Sequence, residues 1–174
     1  MSKKKKGYKK PNAFIYLVGI RIARLYAKIK LGLKIEKNEI KKQKGPYVII
    51  ANHESVIDFV NLVSCTNKRM AVVISNSFYQ SMKVNPLLKI MGVIPKQQFQ
   101  TSVSDLKKMK SAVEANMPLV IYPAGLMTEN GICTPIPQAT GKLLNWLDVD
   151  VYLGFTKGSY LTKPKWGKGL RKGK

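Results

Sequence analysis

The chain has 174 residues, of which 45% are hydrophobic, and a formal net charge of +22. This length suits a single domain with its own core, and the apolar content excludes a disordered chain in spite of the charge. Two cysteines, Cys65 and Cys133, are too few for a disulfide framework and lack metal-site spacing, which fits a reducing cytosolic compartment.

The positive charge lies at the two ends of the chain. Residues 1–44 hold 15 Lys/Arg and 2 Asp/Glu, residues 157–174 hold 7 Lys/Arg and no acidic residue, and residues 45–156 carry a net charge of only +2. Basic ends of this kind attract nucleic acid or anionic lipid headgroups, and they also occur as solubilising tails.

The first predicted element is a helix that begins near Asn12, a suitable N-cap residue. Its 3.6-residue period places Phe14, Val18, Ile22, Leu25, Ile29 and Leu33 on one face, with Arg21, Arg24 and Lys28 beside it. This pattern is typical of a helix in a membrane interface, and a helix packed on the domain with a solvated basic edge is the alternative. The run Ala13 to Ile20 is too short to span a bilayer, and no secretory cleavage site follows it.

Apolar strands and helices alternate through the rest of the chain. Strands are predicted over 45–52, 69–75, 92–95, 118–123 and 150–158, and helices over 56–65, 77–91, 101–117 and 136–149. Because the strand segments are continuously apolar, they predict an α/β fold with a mostly parallel sheet flanked by helices.

The single histidine lies where such folds place reacting groups, just after the strand VIIAN. In the first turn of the next helix, Asp58 can accept a hydrogen bond from one ring nitrogen of His53 and leave the other nitrogen free as a base. No serine or cysteine is set to act as nucleophile, so the substrate is expected to supply its own hydroxyl. On spacing alone, a structural histidine is the commoner outcome.

Three stretches in order carry a family resemblance. NHESVID resembles the N-H-x4-D signature of PlsC-type lysophosphatidate acyltransferases, and IYPAGLMTENG resembles their second signature, F-P-E-G-T-R-S. MGVIPKQQF, between the two, resembles the stretch that supplies a basic residue to the acceptor phosphate. With the segment that follows the second signature, the resemblance covers residues 45–166. It implies a glycerolipid acyltransferase-like domain over 45–174, either unusually short or truncated at its C-terminus, after a basic amphipathic membrane-associating segment over 1–44.

The resemblance also implies the chemistry. His53 is the expected base and Asp58 its orienting carboxylate, while Asn52, Lys96, Gly125 and Thr128 are expected to bind substrate. The acyl donor is acyl-CoA or acyl carrier protein, so no bound cofactor or metal is implied. The acceptor is a lysophospholipid such as lysophosphatidate, and the protein is expected at the cytoplasmic face of the cell membrane, on anionic lipids, as a peripheral protein.

The second signature departs from the family where polar groups are expected. Ala124 occupies the glutamate position, Leu126 the threonine position and Met127 the arginine position, and a methionine offers no donors to a phosphate. Glu129 lies too far along to be assumed a substitute, and Tyr122, at the aromatic position, suits core packing. Two hypotheses follow: the acceptor is something other than lysophosphatidate and is held by a different set of groups, or the chain is a weakened or inactive relative that keeps its fold and membrane affinity. A nucleic-acid-binding module is less favoured, because the basic residues follow no recognisable binding motif.

Overall fold

A computed structural model describes residues 8–81, 88, 91–164 and 166–172. The strands are β1 (Tyr47–Ala51), β2 (Ala71–Ser75), β3 (Val93–Lys96), β4 (Leu119–Ile121) and β5 (Asp150–Gly154). The helices are α1 (Ala13–Tyr26), α2 (Asp58–Ser64), α3 (Asn76–Ser81), α4 (Val103–Glu114), α5 (Gln138–Leu147) and α6 (Ser159–Thr162). A π-helical turn, Ala27–Leu31, extends α1, and a 3-10 turn spans Ile40–Lys42.

The five strands form one parallel sheet in the order β3-β2-β4-β1-β5. All five predicted strands are present, and the α/β fold with a parallel sheet is confirmed. Since every strand points the same way, the loops after β1, β3 and β4 leave the sheet at one edge. Part of the helix predicted over 77–91 lies outside the described residues.

Helices cover both faces of the sheet. Alternate residues of β1 point to opposite sides, so that Val48 and Ile50 pack with α4 and α5, while Tyr47 and Ile49 pack with α1 and α2. Every residue of β1 is buried, which explains the unbroken apolar run in the sequence. β1 therefore gives the loop that follows it a fully buried support.

Local capping bonds mark the starts of two helices, and the first of these starts, near Asn12, was predicted. The Asn12 side chain accepts a hydrogen bond from the Ile15 amide, at 3.1 Å, and caps α1. Ser102 and Asp105 form a reciprocal capping box at the start of α4.

Helix α1 has two apolar faces with different surroundings. Tyr16 and Ile20 are buried against the sheet, and the Tyr16 hydroxyl oxygen accepts a hydrogen bond from the Met70 amide at 3.0 Å. Most of the face predicted from the helical period stays exposed, including Phe14, Ile22 and Leu25, whereas Leu33 is half-buried against Ala27, Leu31 and Ile57. The helix is thus packed on the domain and still presents a second apolar face outward. Within the described segments, no helix is long and apolar enough to cross a membrane.

Arg24 does not lie with the exposed basic residues beside that face. Its guanidinium donates to the carbonyl oxygens of Ser64 and Thr66, at 3.0 and 3.1 Å, and to the Asn67 side chain at 3.0 Å. The residue therefore ties α1 to the end of α2. Arg21 and Lys28 remain exposed.

Candidate active site

His53 and Asp58 meet at the carboxyl end of β1. The His53 Nδ1 atom lies 2.9 Å from Asp58 Oδ2, and Asp58 is fully buried at the first position of α2. A buried carboxylate next to Nδ1 favours the tautomer that carries its proton there. The other ring nitrogen, Nε2, is then the basic one, and the His53 side chain is 23% exposed.

The same carboxylate oxygen organises the loop between β1 and α2. Asp58 Oδ2 accepts hydrogen bonds from the backbone amides of Glu54 and Ser55, at 2.7 and 2.8 Å. Three donors therefore converge on one oxygen, two from the backbone and one from the imidazole. Charge-assisted bonds of this kind are stronger than neutral ones, so Asp58 fixes both the loop and the ring of His53.

An aromatic ring fixes the plane of the imidazole. Tyr122, directly after β4, stacks on His53 with ring centroids 4.3 Å apart and an interplanar angle of 24°. The Tyr122 hydroxyl is buried and has no hydrogen-bond partner among the described residues. Burial, and next the charge of Asp58, raises the pKa of Tyr122 well above its usual value. Tyr122 stays a neutral phenol, and its contact with His53 was not expected from the sequence.

Asn52 joins β1 to the end of β5 through both ends of its amide group. Its Nδ2 donates to the Thr156 carbonyl oxygen at 2.7 Å, and its Oδ1 accepts from the Thr156 amide at 2.8 Å. With these bonds made, the side chain holds the loop before His53 in place. The structure gives Asn52 a positional function beside the expected contact with substrate.

Glu54 is a second buried carboxyl group next to His53. It accepts a hydrogen bond from the Tyr160 amide at 3.3 Å and a long one from Asn52 at 3.4 Å. Burial raises the pKa of Glu54, and hydrogen bonds from backbone amides of residues 158–160 oppose that rise. Glu54 therefore connects the loop of His53 to α6.

The loop after β4 carries the second signature and contacts the first. The Thr128 amide donates to the His53 carbonyl oxygen at 2.8 Å, while the Thr128 hydroxyl is hydrogen-bonded to Asn130 at 3.1 Å. Gly125 has a φ of +68°, in the left-handed region, and a Cβ atom there would have room. The glycine is thus required for its backbone conformation rather than for close approach.

Lys96 ends β3 on the other side of the site. Its Nζ donates to the Gln97 carbonyl oxygen at 3.0 Å. Burial lowers the pKa of Lys96, and the charge of Asp105 opposes that effect. Because burial disfavours the charged form of Lys96, an anion placed beside it would stabilise that charged form.

His53 lies between two cavities. The first, called here the Leu153 cavity, has a volume of about 400 Å³ and includes Ala124 and, at its mouth, several exposed apolar side chains. These are Leu126, Ile132, Ile136, Leu153 and Phe155. The second, called here the Lys96 cavity, has a volume of about 360 Å³ and includes Lys96, Gly125 and Met127. Both are largely apolar, and His53 and Leu126 line both.

The expected site residues thus fall into two groups. His53, Lys96 and Gly125 line the Lys96 cavity, and Asn52 and Thr128 line the Leu153 cavity. Sequence reasoning missed Tyr122, Glu54 and Thr156. The motif position of Tyr122, directly before the Pro123 turn, was the available signal for the first, whereas the pairing of Asn52 with Thr156 spans 104 residues and leaves no local trace.

The fold and the site define a class of α/β protein in which a buried carboxylate is hydrogen-bonded to a histidine at the carboxyl ends of the strands, beside two largely apolar cavities. Residues 32–167 match the Acyltransferase family, and the chain belongs to that family. Among solved structures, the fold is similar to that of the 1-acyl-sn-glycerophosphate (LPA) acyltransferase PlsC from Thermotoga maritima, with a TM-score of 0.68 and 14% sequence identity. The match covers 92% of this chain and 64% of that one, so this chain spans about two thirds of the neighbour's length.

Proposed function

We propose that the protein transfers a fatty acyl chain from a thioester, acyl-CoA or acyl carrier protein, to the hydroxyl group of a lysophospholipid. The observation that carries this proposal is the bond between His53 Nδ1 and Asp58, at 2.9 Å, in a histidine that lines two apolar cavities. Membership of the Acyltransferase family supports the reaction class.

In the proposed reaction, His53 Nε2 removes the proton from the acceptor hydroxyl group. The oxygen attacks the thioester carbonyl carbon, a C–O bond forms, and the C–S bond breaks. The proton passes from His53 to the departing thiolate, so the products are a diacyl phospholipid and a free thiol. General-base help of this kind contributes about 10²–10⁴ in rate.

The two cavities suit two lipid substrates. In this proposal, the acceptor occupies the Lys96 cavity, with its phosphate near the Lys96 ammonium group, and the acyl chain of the donor occupies the Leu153 cavity. Lys96 supplies a single point charge, because Met127 stands where the family has an arginine. The absence of that arginine at Met127 is consistent with an acceptor other than lysophosphatidate. Comparing lysophosphatidate with lysophosphatidylglycerol as acceptors, whose phosphates differ in charge, shows whether lysophosphatidate or another lysophospholipid is preferred.

In this proposal, the protein binds anionic lipid peripherally at the cytoplasmic face of the membrane, and the exposed apolar face of α1 and its π-helical extension supports the contact with lipid. Leu25 and Ile29 point outward beside Arg21 and Lys28, and each basic residue near an anionic surface contributes about 1 kcal/mol. Replacing Leu25 and Ile29 together by Asp is expected to weaken vesicle binding at least about ten-fold. Val103→Asp, at an exposed apolar position on α4, is the matched control and should bind vesicles normally.

The enzyme assay supplies purified protein with anionic vesicles, a labelled long-chain acyl-CoA or acyl carrier protein, and a panel of lysophospholipids. His53→Ala should fold and bind vesicles but transfer no acyl group. Absence of transfer by the unmodified protein with either donor, while it still binds vesicles, would indicate an inactive relative. Preferential, strongly salt-dependent binding to nucleic acid over vesicles would replace the membrane proposal.

A further inference from the structure

Phe99 has an unusual backbone conformation for its residue type. Its φ is 60°, and the other non-glycine residues with positive φ in the described chain are Asn116 and Asp148, whose short polar side chains tolerate that region. A phenylalanine gains nothing locally from this conformation. The residue is nevertheless 73% exposed, so burial in the core does not explain why the strain is kept.

The loop that carries Phe99 is attached to the loop of the second signature. The Gln98 side chain donates to the Gly125 carbonyl oxygen at 2.9 Å, and the Phe99 ring passes within 3.9 Å of the place where a Cβ of Gly125 would lie. Three residues earlier the same segment contains Lys96. The strained backbone therefore holds an aromatic ring beside Gly125, whose own left-handed backbone requires a glycine.

Phe99 is part of an apolar rim around the Lys96 cavity. Val56 follows β1, Phe99 follows β3 and Leu126 follows β4, and all three line this cavity together with His53. Val56 is 40% and Leu126 45% exposed, so each presents apolar surface to solvent. Three loops that place exposed apolar groups around one opening, with a lysine inside, match an amphiphile with an anionic headgroup and a hydrocarbon chain.

We infer that Phe99 is a specificity-determining residue that packs against the hydrocarbon chain of the acceptor lysophospholipid while the acceptor phosphate lies near Lys96. The inference rests on the proposed function and deepens it, because it assigns recognition of the acceptor chain to the rim of the Lys96 cavity. Water-soluble acceptors of the same headgroup make no contact with Phe99 in this arrangement.

The test uses two variants of Phe99 and one control. Phe99→Asn retains the left-handed backbone, since asparagine tolerates it, but loses the apolar ring. Phe99→Leu retains apolar contact. Val103→Ala changes an apolar residue of comparable exposure, 65% against 73% for Phe99, that lines neither cavity.

Binding is measured by isothermal titration, at concentrations below micelle formation, with palmitoyl and hexanoyl lysophospholipids of one headgroup. Phe99→Asn should raise the Kd for the palmitoyl ligand about ten-fold, the equivalent of about 1.4 kcal/mol, and leave the Kd for the hexanoyl ligand unchanged. Phe99→Leu and Val103→Ala should resemble the parent. The melting temperature of Phe99→Asn should not fall, because the backbone strain is relieved. The KM values for the two acceptors should follow the same pattern.

An equal rise of Kd for both ligands would overturn the inference, since Phe99 would then not read the chain. A dependence on the chain length of the donor rather than the acceptor would also overturn it. Because binding does not need turnover, a parent protein that binds palmitoyl lysophospholipid through Phe99 yet transfers no acyl group would support the inference while the proposed enzyme activity fails.

Discussion

Two replacements of Asp58 should separate its part in catalysis from its part in folding. In Asp58→Asn, the side-chain oxygen can still accept from the amides of Glu54 and Ser55, but the carboxylate that fixes the tautomer of His53 is gone. In Asp58→Ala, both amides and the imidazole lose their acceptor. Asp58→Asn should therefore lower mainly the rate of the reaction, whereas Asp58→Ala should lower both the rate and the stability of the fold.

The magnitudes follow from the hydrogen bonds. Each stranded buried amide costs about 1–3 kcal/mol, so Asp58→Ala should lower the free energy of unfolding by about 2–6 kcal/mol. Domains of this kind are stable by about 5–15 kcal/mol, so the loss is a large fraction of the total. Asp58→Asn exchanges charge-assisted bonds for neutral ones and should cost about 1 kcal/mol.

The assay pairs urea unfolding with steady-state acyl transfer. Both variants should lose about 10²–10⁴-fold in kcat, because His53 no longer has a fixed tautomer. Only Asp58→Ala should show the large shift of the unfolding midpoint. An Asp58→Asn variant as active as the parent would refute the orienting function of Asp58, and an Asp58→Ala variant of parental stability would refute its function in the loop.

Three other predictions concern the surroundings of His53. Lys96→Met should raise the KM for phosphate-bearing acceptors. It should also raise the melting temperature at pH 7. Because burial lowers the pKa of Lys96, the charged form of the lysine destabilises the folded state at any pH below that pKa. The gain in melting temperature should shrink as the pH rises towards about 10.4, where the lysine loses its charge in the unfolded chain as well. Asn52→Ala should lower the free energy of unfolding by about 1–3 kcal/mol, measured in urea, because Thr156 loses both of its partners. Tyr122→Phe should stabilise the protein in thermal unfolding and preserve the stacking on His53, since it removes a buried hydroxyl group without a described partner; a lower melting temperature would show that the hydroxyl is satisfied.

Local sequence signals predicted the secondary structure because their causes are local. Asn12 and Ser102 cap helices through bonds that reach three residues, and the cap at Asn12 was predicted from its residue type alone. The pairing of His53 with Asp58 was predictable for the same reason, since only five residues separate them and the end of a strand and the start of a helix bring them together.

Features that depend on distant parts of the chain could not be read in advance. Helix α1 has two apolar faces, and its helical period alone does not show which of them is buried. Packing against α2 and β2 decides that Tyr16 and Ile20 are buried while Ile22 and Leu25 face outward. The sequence places Arg24 with the other basic residues beside the exposed face. In the structure, its guanidinium donates to carbonyl oxygens at the end of α2, a contact that depends on tertiary packing.

The sequence by itself determined the order of strands and helices, the parallel sheet and the histidine–aspartate pair, because hydrophobic period, capping and short spacing act within a few residues. Tertiary structure alone decided the strand order, the bonds between Asn52 and Thr156, the stacking of Tyr122 on His53 and the left-handed backbone of Phe99. Each of these features depends on contacts between segments that are distant in the chain. Interactions within a few residues do not specify which distant segments come together.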